Sequence, residues 1–230
     1  YVDDSGGADF TRIQDAIYIA SAGDTIYVSN GTYYEHIYIP KSLWLVGENK
    51  YATIIDGSGY GPVVEIYASY TNFTSFTVRN AGWTNWERDN GIRLRRTQSS
   101  QVTDCIVSGC AYGIREMSER GLGGENVING NTVSDCTEIA IGSSHASSRD
   151  DIVSNNTITN SHNGIYFNSP YNMQIIGNTI SDLTGYARYG IHFEGGGFGN
   201  TVVGNTVIGY TDYGIAIRCA DENFVSGNTL

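Results

Sequence analysis

Apolar residues in this chain come in short alternating runs, and the runs recur. Gly164-Ile165-Tyr166-Phe167-Asn168 and Met173-Gln174-Ile175-Ile176 are examples, each closed off by Gly, Asn or Ser. Alternation over so few residues predicts half-buried strands. Two phrases punctuate the pattern. Asn-Thr followed by an apolar residue begins at Asn131, Asn156, Asn178, Asn205 and Asn228, in steps of 25, 22, 27 and 23 residues. Gly-Ile begins at Gly91, Gly113, Gly164, Gly190 and Gly214, with Ala140-Ile141 in the remaining slot, in steps of 22, 27, 24, 26 and 24.

A period in this range, with no helix-forming stretch inside it, predicts a solenoid of strands. Leucine-rich repeats would need recurring Leu, and propeller blades a longer period. The predicted fold is therefore all-β: a single-stranded parallel β-helix of roughly eight turns, one domain over residues 1–230. Equivalent residues of successive turns then stack about 4.8 Å apart. The five Asn form a ladder at a bend, each amide bonding its neighbours and satisfying polar groups where backbone bonding is irregular. Val133, Ile158, Ile180 and Val207 stack inside the coil, as do the Ile residues of the Gly-Ile phrase. Residues 1–22 read as an N-terminal cap. Residues 10–20 have helical spacing through Phe10, Ile13 and Ile17, with Asp9 or Thr11 as N-cap and Gly23 as terminator. No such cap closes the other end, which predicts further domains C-terminal to Leu230.

Composition narrows the partners. A net charge of -11 and a pI near 4.6 exclude a general nucleic-acid binder. No apolar stretch is long enough to span a membrane. Only Lys41 and Lys50 are lysines, so eleven of the thirteen basic residues are Arg. Cys110 and Cys136 share a register as two small buried residues rather than a disulfide, because in-register strands hold Cβ atoms too far apart. Cys105 occupies the Asn-ladder position, and the four Cys lack the paired spacing of a zinc site.

The opening Tyr1-Val2-Asp3-Asp4-Ser5-Gly6-Gly7-Ala8-Asp9-Phe10-Thr11-Arg12-Ile13-Gln14-Asp15-Ala16-Ile17 resembles that of right-handed β-helix proteins of the pectin-lyase-like superfamily. Gly23-Asp24-Thr25-Ile26-Tyr27-Val28 and Leu43-Trp44-Leu45-Val46-Gly47-Glu48-Asn49 continue the likeness. The resemblance implies a right-handed coil. Pectin methylesterases share this opening, but their catalytic Gln-Asp-Thr and Asp-Phe-Ile-Phe-Gly motifs are absent here, which argues against esterase activity. The later repeats look like the NosD-type family of carbohydrate-binding and sugar-hydrolysing β-helices. The combination is also similar to surface proteins of methanogenic archaea, including disaggregatase-type enzymes that cleave a chondroitin-like matrix. That resemblance implies a secreted or cell-surface location and an acidic polysaccharide as partner.

Strand parity locates the chemistry. In the Gly-Ile strands the Ile points inward and the next residue outward, giving a column Arg93, Arg115, Gly142, Tyr166, His192 and Ala216. A second outward column holds Arg95, Met117, Ser144, Asn168, Glu194 and Arg218. Arg96, Glu116 and His145 close the strands. Insertions carrying Trp83 and Trp86, and Tyr186 to Tyr189, flank the same sheet. Tyr and Trp offer flat faces for sugar rings, and Arg pairs bidentately with carboxylate or sulfate. The expected catalytic residues are His192, Tyr166, Glu194 and Arg115. The expected substrate-binding residues are Arg93, Arg95, Asn168, Arg218, Trp83, Trp86 and Tyr189. Glu194 with Arg218 equally fits a plain cross-strand ion pair, and Trp83 and Trp86 fit loop packing.

Two reactions suit an acidic polysaccharide. A lyase needs a cation on the uronate carboxylate, from Arg93, Arg95, Arg115 or a bound Ca²⁺, with His192 and Tyr166 as base and acid. A hydrolase needs two carboxylates roughly 5 to 9 Å apart, from Glu194 with Glu116, Glu138 or Asp150. Asp150-Asp151 resembles the paired acids of β-helix polygalacturonases, whose Gly-His-Gly and Arg-Ile-Lys partners are missing. The alternative is a surface module that binds polysaccharide without cleaving it.

Overall fold

The computed structural model describes residues 1–82, 89–118, 123–143, 148–185, 188–209, 212–218 and 220–230. Trp83, Trp86, Ser144, His145, Tyr186 and Cys219 lie outside the described residues. The chain winds as a parallel β-solenoid of about 7 turns. Its turns present three faces. One sheet stacks nine strands, from Thr25–Val28 and Trp44–Gly47 to Phe224–Ser226, all parallel. The Asn-Thr strands form the second face and the Gly-Ile strands the third. The long strands Ile106–Met117 and Thr132–Ser143 run through both and join them. Eight strands stack on the Gly-Ile face, from Ile37–Ile39 to Tyr213–Ile217, and eight stacked strands enclose seven full turns, not the expected eight.

The predicted register holds. Ile92, Ile114, Ile141, Ile165 and Ile191 are fully buried in one stack, and Ile215 packs against it at the last turn. Val107, Val133, Ile158, Ile180 and Val207 are fully buried on the Asn-Thr face. The ladder is continuous. The Asn131 backbone N–H donates to Asn156 Oδ1 at 2.9 Å, and its Nδ2 donates to the same oxygen at 3.0 Å. Asn156, Asn178 and Asn205 repeat this onto Asn178, Asn205 and Asn228. Cys105 ends the ladder, its N–H donating to Asn131 Oδ1 at 2.9 Å.

The residue before each rung explains the phrase. Asp104, Gly130, Asn155, Gly177, Gly204 and Gly227 all have φ between 52° and 69°. A left-handed turn at that point swings the amide inward, and Gly, Asn and Asp adopt it at least cost. A second ladder, unforeseen from sequence, runs along another corner. There Ser100 N–H donates to Asn126 Oδ1, Asn126 N–H to Asp151 Oδ1, and Met173 N–H to Asn200 Oδ1.

Cys105, Cys110 and Cys136 are buried free thiols, and Cys110 pairs in register with Cys136. Burial pushes the Cys105 and Cys110 thiols up to about 12, so they are inert packing groups.

The cap helix is shorter than expected, Ile13–Ile19, and neither Asp9 nor Thr11 caps it. Seven residues do not sustain a helix alone, and two distant charges hold it. Buried Glu35 accepts from the N–H groups of Ile13 at 2.9 Å and Gln14 at 3.1 Å. Lys41 Nζ donates to the carbonyls of Ile17, Tyr18 and Ala20, placing a cation at the negative end of the helix dipole. The helix stops at Ile19, four residues before Gly23, where these bonds replace a glycine terminator. Ile13, Ala16 and Ile17 seal the first turn, and Phe10 packs at its edge. Glu35→Ala should cost about 1 to 3 kcal/mol, because it strands two amide donors. Urea unfolding checks this; an unchanged midpoint would show that the helix ends are satisfied otherwise.

Candidate functional site

Pairing on the Gly-Ile face sets the outward column as Tyr38, Glu65, Arg93, Arg115, Gly142, Tyr166, His192 and Ala216. The first two members extend the expected column at its N-terminal end. Beside it, Arg95 pairs with Met117 and Asn168 with Glu194, as expected. Exposure along the column is uneven. Arg115 keeps 2% of its surface and His192 3%, whereas Tyr38, Glu194 and Arg218 remain accessible. The Arg115 guanidinium packs 4.4 Å from the Tyr112 ring centre. His192 is stacked under Tyr189 at 4.2 Å and meets Tyr166 edge-on at 5.0 Å.

Around His192 the groups form a connected set. Its Nε2 lies 2.9 Å from Glu194 Oε2, and Arg218 Nη1 lies 3.7 Å from the same oxygen. Arg218 Nη2 donates to the Tyr189 hydroxyl at 3.4 Å. His192 Nδ1 is buried without a hydrogen-bond partner. Burial pushes the imidazole below its ordinary pKa, Arg218 adds to this, and Glu194 opposes it. A neutral ring follows near pH 7, with Nε2 beside the Glu194 carboxylate. Burial and Glu194 raise the Tyr166 phenol, which stays a proton donor.

At the other end, Glu65 Oε1 holds Arg93 Nη2 at 2.9 Å and Arg95 Nη1 at 3.8 Å. Arg96 Nη1 donates to the Tyr67 hydroxyl at 3.3 Å. Two guanidinium groups therefore gather around one carboxylate, and a third is held by the neighbouring tyrosine. Rung spacing separates the two ends. Three steps of about 4.8 Å place Arg115 roughly 14 Å from His192, and Arg93 lies a further step away. The cation one step from His192 is Arg218.

Glu116 does not share this face. It pairs in register with Leu94 and points into the coil, fully buried. Its Oε1 accepts from Ser118 Oγ at 2.6 Å, and it neighbours Asp151, also buried. Asp150 lies at a corner, accepting from Asn172 Nδ2. On the outward columns no described carboxylate other than Glu194 lies within two rungs of His192. A cavity of about 630 Å³, lined by Asp135, Thr137, Asn160, His162 and Thr184, opens at a corner away from the column. It lacks the Tyr and Arg that mark the Gly-Ile face.

Coil, cap and stacked polar face together define a parallel β-helix, and solved structures agree. The chain is similar to the rice weevil pectin methyl esterase, with a TM-score of 0.66 at 10% identity, covering 100% of this chain and 88% of that one. It is also similar to the Yersinia enterocolitica pectin methylesterase, with 0.56 at 14%, covering 88% and 82%. For the pectate lyase Pel9A the values are 0.57 at 10%, covering 94% and 73%. These likenesses establish a right-handed β-helix. Residues 17–209 match the family described as periplasmic copper-binding protein (NosD), and the chain belongs to that family. No curated protein matches it.

The described residues do not fit a copper site. Among the described residues no three His, Cys, Asp or Glu side chains converge, and the described thiols are buried and protonated. No described helix is long and apolar enough to cross a membrane.

Proposed function

We propose that this chain binds and cleaves an acidic, uronate-containing polysaccharide on the outer face of the Gly-Ile sheet. The supporting observation is the set Tyr166, His192, Glu194, Arg218 and Tyr189 on adjoining rungs of an otherwise acidic protein. Arg218 takes the uronate carboxylate, in place of the more distant Arg115. Glu194, held by the neutral His192, accepts a proton, and the Tyr166 hydroxyl donates one to the leaving oxygen. Hydrolysis would need a second carboxylate across the bond, and within two rungs of His192 the two outward columns carry none beside Glu194 among the described residues. Elimination is therefore the favoured chemistry. Arg93, Arg95 and Asn168 contact substrate beyond the reacting sugar. The similar structures include pectin- and pectate-active enzymes, which favours a carbohydrate substrate. The family's periplasmic description favours a location outside the cytoplasm, and a chondroitin-like cell-surface matrix is the candidate polymer.

A second reading, a binding module without catalysis, draws on the burial of both His192 nitrogens. Incubation with a panel of uronate polymers separates the two. Elimination predicts reducing ends together with the unsaturated-uronate chromophore, and reducing ends alone would mean hydrolysis. Binding with neither product would favour the module. In an active enzyme His192→Ala and Glu194→Gln should each lower kcat at least a hundredfold with little change in affinity. Full turnover by both variants would place the chemistry elsewhere.

A further inference from the structure

Two similar side-chain constellations stand at opposite ends of the Gly-Ile face. At the C-terminal end Tyr189 and Tyr213 stack with ring centres 6.0 Å apart and planes 3° from parallel. The Arg218 guanidinium lies 5.6 Å and 5.9 Å from those two rings. At the N-terminal end Tyr38 and Tyr67 are also 6.0 Å apart, tilted by 45°. Arg95 lies 6.0 Å from the Tyr67 ring, and Arg96 donates to its hydroxyl. Both tyrosine pairs reach solvent.

Each end thus combines a flat aromatic surface with a guanidinium held beside it. A sugar ring stacks on the aromatic face while its carboxylate or sulfate meets the cation. Arg95 and Arg218 occupy the same outward column, and five steps of about 4.8 Å separate them, roughly 24 Å along the axis. A disaccharide cannot touch both ends.

Resting on the reading of this face as a polysaccharide site, we infer that Tyr38, Tyr67, Arg95 and Arg96 form a second, remote binding site for an anionic sugar of the same polymer. The chain then holds substrate at two points, and its affinity depends on oligomer length. Once one end is bound, the other binds at high effective concentration, so spanning ligands gain without any new contact at the reacting end.

Calorimetric titration of the full chain tests this, using a disaccharide and a dodecasaccharide from both polygalacturonate and chondroitin. For the preferred polymer, the dodecasaccharide should bind at least tenfold more tightly than the disaccharide. Tyr67→Ala and Tyr38→Ala should each remove most of that gain while leaving disaccharide affinity unchanged. Two outcomes would overturn the remote site while sparing the functional reading: equal affinities for both lengths, or full retention of the gain in both variants. If the folded wild-type chain binds neither length of either polymer, the functional reading fails and the remote site with it.

Discussion

Asn178→Ala is expected to destabilise the solenoid by roughly 3 to 5 kcal/mol, far more than a solvent-facing change one residue away. Asn178 Oδ1 accepts from both the N–H and the side-chain amide of Asn156, at 3.0 and 2.9 Å. Its Nδ2 donates to the Val153 carbonyl and to Asn205 Oδ1, both at 2.9 Å. All of these groups are buried, so truncation strands a donor and an acceptor that water cannot reach. Thr179→Ala, on the outer surface of the same strand, should change stability by about 0.5 kcal/mol or less. Chemical denaturation of both variants gives the comparison. Equal midpoints would mean that strand pairing alone carries the corner.

Asp151→Asn is expected to stabilise the protein at neutral and alkaline pH and to flatten its pH dependence. Asp151 is held well above the ordinary carboxylate range, first by burial and then by the neighbouring Glu116. Its Oδ1 accepts from the Asn126 N–H, while Asp151 Oδ2 and Glu116 Oε2 have no donor other than a proton between them. The folded state therefore holds that proton more tightly than the unfolded chain, whose pKa is near 3.8. Its stabilising contribution is complete below that value and is lost as pH rises towards the folded-state pKa. Each pH unit of that interval costs about 1.4 kcal/mol. An amide at this position keeps the bond to Asn126 and donates to Glu116 without titrating. Melting temperatures from pH 4 to pH 9 should therefore fall in the wild type and stay level in the variant. Parallel curves would show that the pair is not the source of the slope.

This interior pair illustrates how far the repeat can be read. Parity assigns Glu116 to an inward position only once its partner Leu94 is known, and near a strand end one residue decides inside from outside. In the same inward stack other turns place Leu94, Phe167 and Phe193, with the smaller Ser143 directly next to Glu116. A carboxyl there is tolerated because Ser118, two residues on, bonds it and Asn126 and Asp151 come to it from later turns, a meeting that sequence spacing does not reveal.

The sequence by itself determined the solenoid, its register and the composition of its outer columns. These follow from local rules: alternation sets which side chains enter the core, and a left-handed residue before each ladder Asn marks every corner. The helical spacing of Phe10, Ile13 and Ile17 likewise announced the cap. Only the tertiary structure decided which column members meet and which are covered. Arg115 and His192 occupy the expected positions, yet Tyr112 and Tyr189 close over them. Glu35 and Lys41, more than twenty residues away, hold the helix that local capping residues do not. Tyr38 and Tyr67 join the face through register with turns whose sequence phrases differ, and Tyr213 through its pairing with Tyr189. The physical reason is the same in each case: periodicity fixes direction and height along the coil, whereas burial, pairing and charge depend on neighbours brought together by winding.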